Sequence, residues 1–367
     1  RSLGAMGGTE SEMRPSERGE SRADEYELRP VGRADADDWR AVVDDHPAAT
    51  VFHSWAWLTA VDSSFGYDPA HLLVAEAGGA EPVAAVPGFS VAGAVGRTVV
   101  NPFCEYGFPL VAEGVDTGGV LRAVAADVGP LGARVLKDAG WTGLAGYNAA
   151  GYGAVRTGEV IRLDTTRAFE EVREQSFSAE GRRCLRTAAG SDLTVRPGSV
   201  GEYYPRYLET MRRLGSPQFP ESFFLDLAAE LGDGCTVFCA EHEGEVVGGV
   251  LLLDFGGVRM VWSNASRRDA WEHRPNHALY AAAIEDACQE DIDVVDFGRS
   301  RPGTGVHDFK RQFGGDPSPL ASLVAPPHRA GRASLEGYGA AASVAERFSP
   351  LLTNPAVGPR LKRFIHE

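Results

Sequence analysis

The chain has 367 residues, 43% of them hydrophobic and 24% charged, with a net charge of −15 at pH 7. That is enough apolar chain for one large or two medium cores, while no apolar run reaches the roughly 18 residues of a membrane helix. The acidic surplus excludes a generally basic nucleic-acid surface and leaves only a local basic patch for such a partner. Five cysteines, scattered and odd in number, read as reduced buried thiols rather than a disulfide or zinc framework. With no secretory leader in view, the expected location is the cytoplasm, and no metal is expected.

Residues 1–25 are rich in Gly, Ser, Glu and Arg, open on the tag-like RSLGAMGG, and are expected to be disordered. A first α/β half is expected over 26–160. Within it, 26–30 reads as a strand and 34–45 as a helix with an acidic start. The run FHSWAWL at 52–58 opens a second helix whose two tryptophans straddle a core and a cleft edge, with His53 a candidate cleft residue. Residues 72–77 and 82–91 read as a hairpin. Residues 99–110, VVNPFCEYGFPL, place Glu105 and Tyr106 as candidate catalytic contacts. A carboxylate there has the chemistry of a general base; the alternative is a solvated loop acid. Residues 115–140 read as one helix on an Ala/Val pattern, and 141–146 as a strand.

A second half is expected over 161–325. A helix over 166–174 is followed by a helical run with Arg182, Arg183 and Arg186. Arg182 and Arg186 share a face at i, i+4, which suits donor phosphates or, alternatively, pairing with Glu170, Glu171 or Glu174. Residues 200–214 read as a helix, and LGSPQFPESFFLDL as a proline-fixed turn and helix. Residues 235–241, 246–253 and 258–263 form an antiparallel meander. A helix follows with Pro275 near its start, where the missing N–H is harmless. His273 and His277 have metal-capable spacing, but Pro275 lies between them and no HEXXH acid accompanies them, so zinc is not expected. Residues 292–297 are a short buried strand, and a glycine-rich loop leads to 307–315. After 325 a Pro-containing linker, a helix over 333–352 and a basic end with Arg360, Lys362 and Arg363 are expected as a tail.

The loop after the 292–297 strand concentrates Asp296, Arg299, His307, Asp308, Lys310 and Arg311. Of the 36 Lys and Arg residues, Lys137, Lys310 and Lys362 alone are lysines. A lysine in such a chain either does what a planar guanidinium does not or survives as an ordinary surface residue.

The run DFGRSRPGTGVHDFKRQFGG resembles the C-terminal signature of the FemAB-like aminoacyl- and acyltransferases, a branch of the GNAT-fold superfamily. The matching parts are Asp296 to Ser300, Gly303 to Gly305, and Phe309-Lys310 with Phe313-Gly314. The segments FHSWAWL, PFCEYGFPL, RRCLRTA and GSPQFPESFFLDL are similar to family segments as well, so the resemblance spans about 26–325. It implies an α/β chain of two tandem GNAT-like halves, each a mixed, mostly antiparallel sheet flanked by helices, with a cleft between them. It implies transfer of an aminoacyl or acyl group, with aminoacyl-tRNA as donor, to a small-molecule or peptide amine. In that reading Lys310, with backbone N–H groups near Phe309, stabilises an oxyanion. Arg299 holds a phosphate or carboxylate, Asp296 braces Arg299, and Trp262, Asn264, His277, Ser300 and Phe309 contact substrate. No cofactor is expected. No Ser-His-Asp pattern is present, so direct transfer is the simpler route. Residues 267–277 contain no glycine, which argues against a CoA pyrophosphate cradle at the following helix. Two rivals stand: a CoA- or carrier-protein-dependent N-acyltransferase, and a non-catalytic binding module on the same fold.

Overall fold

The computed structural model describes residues 25–92, 97–129, 132–139, 144–290, 292–332, 354 and 357–362. The segment 1–24 and the expected helix at 333–352 lie outside the described residues.

The first half runs β1 (Tyr26–Val31), α1 (Ala36–Val43), α2 (Trp55–Phe65), β2 (Asp68–Pro69), β3 (His71–Glu76), β4 (Pro82–Val86), β5 (Phe89–Ala92), β6 (Arg97–Val100), β7 (Leu110–Val111), α3 (Thr117–Ala126), β8 (Ala133–Ala139), α4 (Leu144–Ala149) and β9 (Gly153–Asp164). The second runs α5 (Phe169–Gln175), α6 (Ala179–Ala189), β10 (Leu193–Pro197), α7 (Val200–Leu214), α8 (Glu221–Leu231), β11 (Cys235–His242), β12 (Glu245–Phe255), β13 (Val258–Ser266), α9 (Pro275–Gln289), β14 (Val294–Ser300), α10 (Gly305–Arg311) and β15 (Asp316–Ala325). A last helix, α11, covers Gly358–Lys362. Local chemistry sets several ends. Ser54, Asp116, Ser178 and Ser199 cap α2, α3, α6 and α7 by accepting a first-turn N–H, and left-handed Gly66 and Gly215 close α2 and α7.

Eleven strands form one sheet in the order β10-β11-β12-β13-β14-β9-β15-β8-β6-β5-β2, and β1-β3-β4-β7 form a second. Pairing is antiparallel except for β13 with β14 and β6 with β8. The large sheet therefore crosses from one half to the other through β9 and β15. The halves also share a core. Trp57 of α2 meets Phe223 of α8 at 5.7 Å and Trp262 of β13 at 5.8 Å between ring centroids. On the opposite face α9 buries Leu279, Ile284 and Ala287 against Val250, Val295 and Phe297.

Three expectations change. The single helix over 115–140 is α3 followed by β8, because Gly129 turns left-handed at φ 64° and ends the helical run. Arg134 and Lys137 of β8 are both buried, and the Ala/Val pattern read as helical runs on into this strand. The 82–91 strand divides at Pro87-Gly88 into β4 and β5, which enter different sheets. Residues 141–143 lie outside the described residues, and Leu144–Ala149 is helical rather than extended. The strand β15 escaped prediction because Pro317 and Pro319 sit in it. There β15 pairs with β9 alone, since β8 joins only from Leu320, so the missing N–H groups face no second strand.

Candidate active site at the junction of the two halves

The site begins with a break in β14. Val294 to Asp296 pair with both β13 and β9, after which β13 diverges and the β9 register shifts before Arg299. Gly298 takes φ 68° in the gap, a conformation that favours glycine, and its N–H donates to Asp296 Oδ1 at 2.7 Å. The chain then turns into α10, which Thr304 caps through His307 N–H. This returns Lys310 beneath the break. Its Nζ donates to Gly298 O at 3.1 Å and Arg299 O at 2.9 Å. Burial pushes the ammonium down to about 8; nearby Arg299 works in the same direction, while Glu105 and Asp296 oppose it. Two of its three donors are thus fixed on backbone, leaving one for a ligand.

The first half supplies the facing wall. Asn101 pins the 101–109 loop by donating to Phe52 O at 2.8 Å and accepting from Trp57 Nε1 at 3.3 Å. Glu105 Oε2 lies 3.4 Å from Arg299 Nε, yet this buried oxygen accepts no hydrogen bond among the described residues. An acceptor desolvated in this way is costly unless a ligand supplies the donor. Tyr106 Oη donates to Asp296 Oδ2, which also accepts from Arg162 Nε at 3.0 Å. The Arg162 guanidinium stacks 4.9 Å over the Tyr106 ring. Burial, then the Asp296 charge, hold the Tyr106 hydroxyl well above its ordinary range, so it remains a donor.

Two sequence expectations are corrected here. Asp296 is fully buried, with no surface to offer a substrate, and braces Gly298, Tyr106 and Arg162. Tyr106 is 1% exposed and is a positioning residue, not a direct contact for acceptor. Both act by locking the 101–109 loop to β14.

The structure adds Arg162, Lys137 and Lys362. Lys137 Nζ donates to Cys104 O at 2.9 Å, behind Glu105. The Lys362 ammonium lies 4.5 Å from the Phe219 ring centroid and 5.5 Å from that of Phe103. Burial lowers it to about 8, helped by repulsion from Arg299 and Lys137. All three lysines of the chain therefore gather around the Glu105 and Arg299 pair. Their rarity was the available signal, and sequence reasoning gave a role to Lys310 alone.

The other candidates are placed nearby or elsewhere. Trp262 backs Phe219 at 5.3 Å. Asn264 donates to Gly249 O and Asn276 Oδ1, and Ser300 Oγ meets His307 Nδ1 at 3.1 Å. His277 bonds Gln312 Oε1 at 3.0 Å and packs on Phe309 at 4.9 Å. Phe309 packs against the core cluster beneath α9. His53 is a fully buried staple between Thr50 and Phe108 O, driven down to about 4 by burial; it is not a cleft residue. His273 stacks on His242 at 4.0 Å.

The α6 arginines form a separate place. Arg182 is held by Glu174 O and Phe177 O, and Arg183 pairs with Glu180. Arg182, Arg186 and Arg173 rim a groove of about 630 Å³ floored by Leu185, Leu193 and Ala281. Among the described residues no group of His, Cys, Asp and Glu is placed to hold a metal, and no helix is long and apolar enough to cross a membrane.

Residues 173–311 match the family model of the acetyltransferase (GNAT) domain. The crystal structure of FemX is similar with a TM-score of 0.62 at 13% identity, covering 81% of this chain and 96% of that one. The chain thus matches a GNAT domain over 173–311 and is similar in fold to FemX. The matched stretch lies in the second half. Similar folds include the C-terminal domain of a putative lysylphosphatidylglycerol synthetase from Agrobacterium fabrum, with a TM-score of 0.56, 14% identity, and coverage of 82% and 94%. A tandem GNAT protein from the clavulanic acid biosynthesis pathway gives 0.53 at 13% identity, covering 83% and 99%. No curated protein matches the chain. The break in β14 and the loop around Glu105 form the two walls of the junction between the halves.

Proposed function

We propose that the chain transfers an aminoacyl group, with aminoacyl-tRNA as donor, to a primary amine without a covalent enzyme intermediate. The observation that carries this reading is Glu105: a buried carboxylate oxygen with no hydrogen-bond donor among the described residues, beside Arg299 and close enough to Lys310 to raise its pKa. The amine nitrogen attacks the ester carbonyl, and Glu105 takes its proton. The developing oxyanion meets the remaining N–H of Lys310. The carbon–oxygen bond to the donor then breaks, and the proton leaves on the departing hydroxyl. Arg299 orients an anionic part of donor or acceptor. The groove rimmed by Arg173, Arg182 and Arg186 offers a place for donor phosphates. The similarity to the C-terminal domain of a putative lysylphosphatidylglycerol synthetase supports an aminoacyl reading.

A second reading is favoured by the acetyltransferase description of the matched family. There the donor is an acyl thioester, and the bond broken is carbon–sulfur. Against it, α9 begins at Pro275, which lacks an N–H, after Arg274 in a left-handed conformation, and no glycine lies between 267 and 277.

The test supplies labelled aminoacyl-tRNA or acetyl-CoA with a lysine-containing peptide as acceptor. Label transfer from the RNA, lost in Lys310→Ala, is the expected result. Transfer from acetyl-CoA alone selects the thioester reading, and transfer at wild-type rate in Lys310→Ala removes the mechanism.

A further inference from the structure

The described C-terminal end of the chain lies in the junction. Asn354 O accepts from Gln218 Nε2 at 3.2 Å, and α11 ends on Lys362, whose ammonium faces Phe103 and Phe219. These rings come from different halves. Phe103 stands in the 101–109 loop at φ 60°, and Phe219 in the turn before α8. Their centroids are 5.0 Å apart with the planes at 86°, and Trp262 supports Phe219 from behind. The arrangement is a cation slot made of aromatic faces.

The charges that Lys362 feels are Arg299 and Lys137, both repulsive. No carboxylate answers it among the described residues. An ammonium held only by ring faces and pressed by cations sits in surroundings that favour its neutral form. An amine has to be neutral to attack a carbonyl. The same surroundings therefore suit an acceptor amine, and Glu105 lies 3.4 Å from Arg299 with an oxygen that has no donor among the described residues.

We propose that the slot between Phe103 and Phe219 is a subsite for a primary alkylamine, and that Lys362 is its internal occupant, displaced when an external amine enters. The ligand class is an unbranched aliphatic amine such as a lysine side chain or a diamine. The proposal rests on the acceptor reading above only for the use made of the bound amine; binding itself stands separately.

The test titrates n-butylamine into the full chain by calorimetry. Lys362→Ala should bind it about tenfold more tightly than the wild type, the scale of one aromatic-held cation. Lys362→Met, whose unbranched apolar side chain still fills the slot, should bind no better than the wild type. Adding Phe219→Leu to Lys362→Ala keeps the bulk but removes the ring face, and should abolish the gain. Equal affinity in wild type and Lys362→Ala, no binding to Lys362→Ala, or a gain that survives Phe219→Leu would overturn the proposal. Transfer assays on the same variants separate the two readings. Amine binding without transfer defeats the transferase mechanism alone, and transfer without the affinity gain defeats the slot alone.

Discussion

Lys310 and Lys362 are both drawn down to about 8 by burial, both beside Arg299, and they are held in opposite ways. Lys310 gives two hydrogen bonds to carbonyls of the β14 break. Lys362 gives none to the described residues and rests on two rings. The difference teaches how a fold marks a fixed group against a replaceable one. Carbonyls aimed by a left-handed glycine specify one ammonium in one place, whereas aromatic faces accept any cation of the right width.

The largest effect that would break this comparison is catalytic. Lys310→Ala should lower the transfer rate by on the order of a hundredfold or more, the scale of losing one oxyanion donor. Lys310→Arg should not restore it, because a guanidinium lacks the compact shape that fits beneath Gly298. Glu105→Gln should slow transfer by roughly a hundredfold through loss of the base, with donor binding unchanged in a filter assay. Asp296→Ala should destabilise the fold by about 2 kcal/mol, since it leaves the buried Tyr106 hydroxyl and the Gly298 N–H without their acceptor; urea denaturation checks this. Smaller still, Arg186→Ala should weaken donor RNA binding by about tenfold and flatten its salt dependence, leaving the rate with saturating donor intact.

The two lysines also predict a pH signature in stability. Each has a folded pKa near 8, below the ordinary lysine value of 10.5. Between about pH 8 and 10 the unfolded chain therefore binds more protons than the folded one, and stability rises with pH. Lys362→Met should remove part of that rise and raise the melting temperature at pH 7. Lys310→Met should remove its own part of the rise, but it also leaves the Gly298 and Arg299 carbonyls without their donor, so the gain at pH 7 should be smaller or absent.

Much of the second half was legible because its signals are local. The alternation over 235–263 and the helix starting at Pro275 are read from neighbouring residues, and α7 emerges over Val200–Leu214 as expected. The run from Asp296 to Gly314 carried Arg299 and Lys310 together. Glu105 and Tyr106 were also singled out, although the hydrogen bond from Tyr106 to Asp296 spans 190 positions. Arg162 was missed because its role depends on β9 lying beside β14, a pairing no local pattern reveals. Lys137 was hidden in a strand that looked helical, and β15 behind two prolines. Phe103 and Phe219 were not singled out by any sequence signal, and only the placement of α11 turns them into walls of a slot.

The most direct test of the central claim is the pH dependence of single-turnover transfer to a saturating primary amine, in wild type and Lys310→Ala. The account predicts a wild-type rate that falls above about pH 8 as Lys310 loses its proton, and a slow variant without that limb. A variant with the wild-type rate and the same falling limb would contradict it.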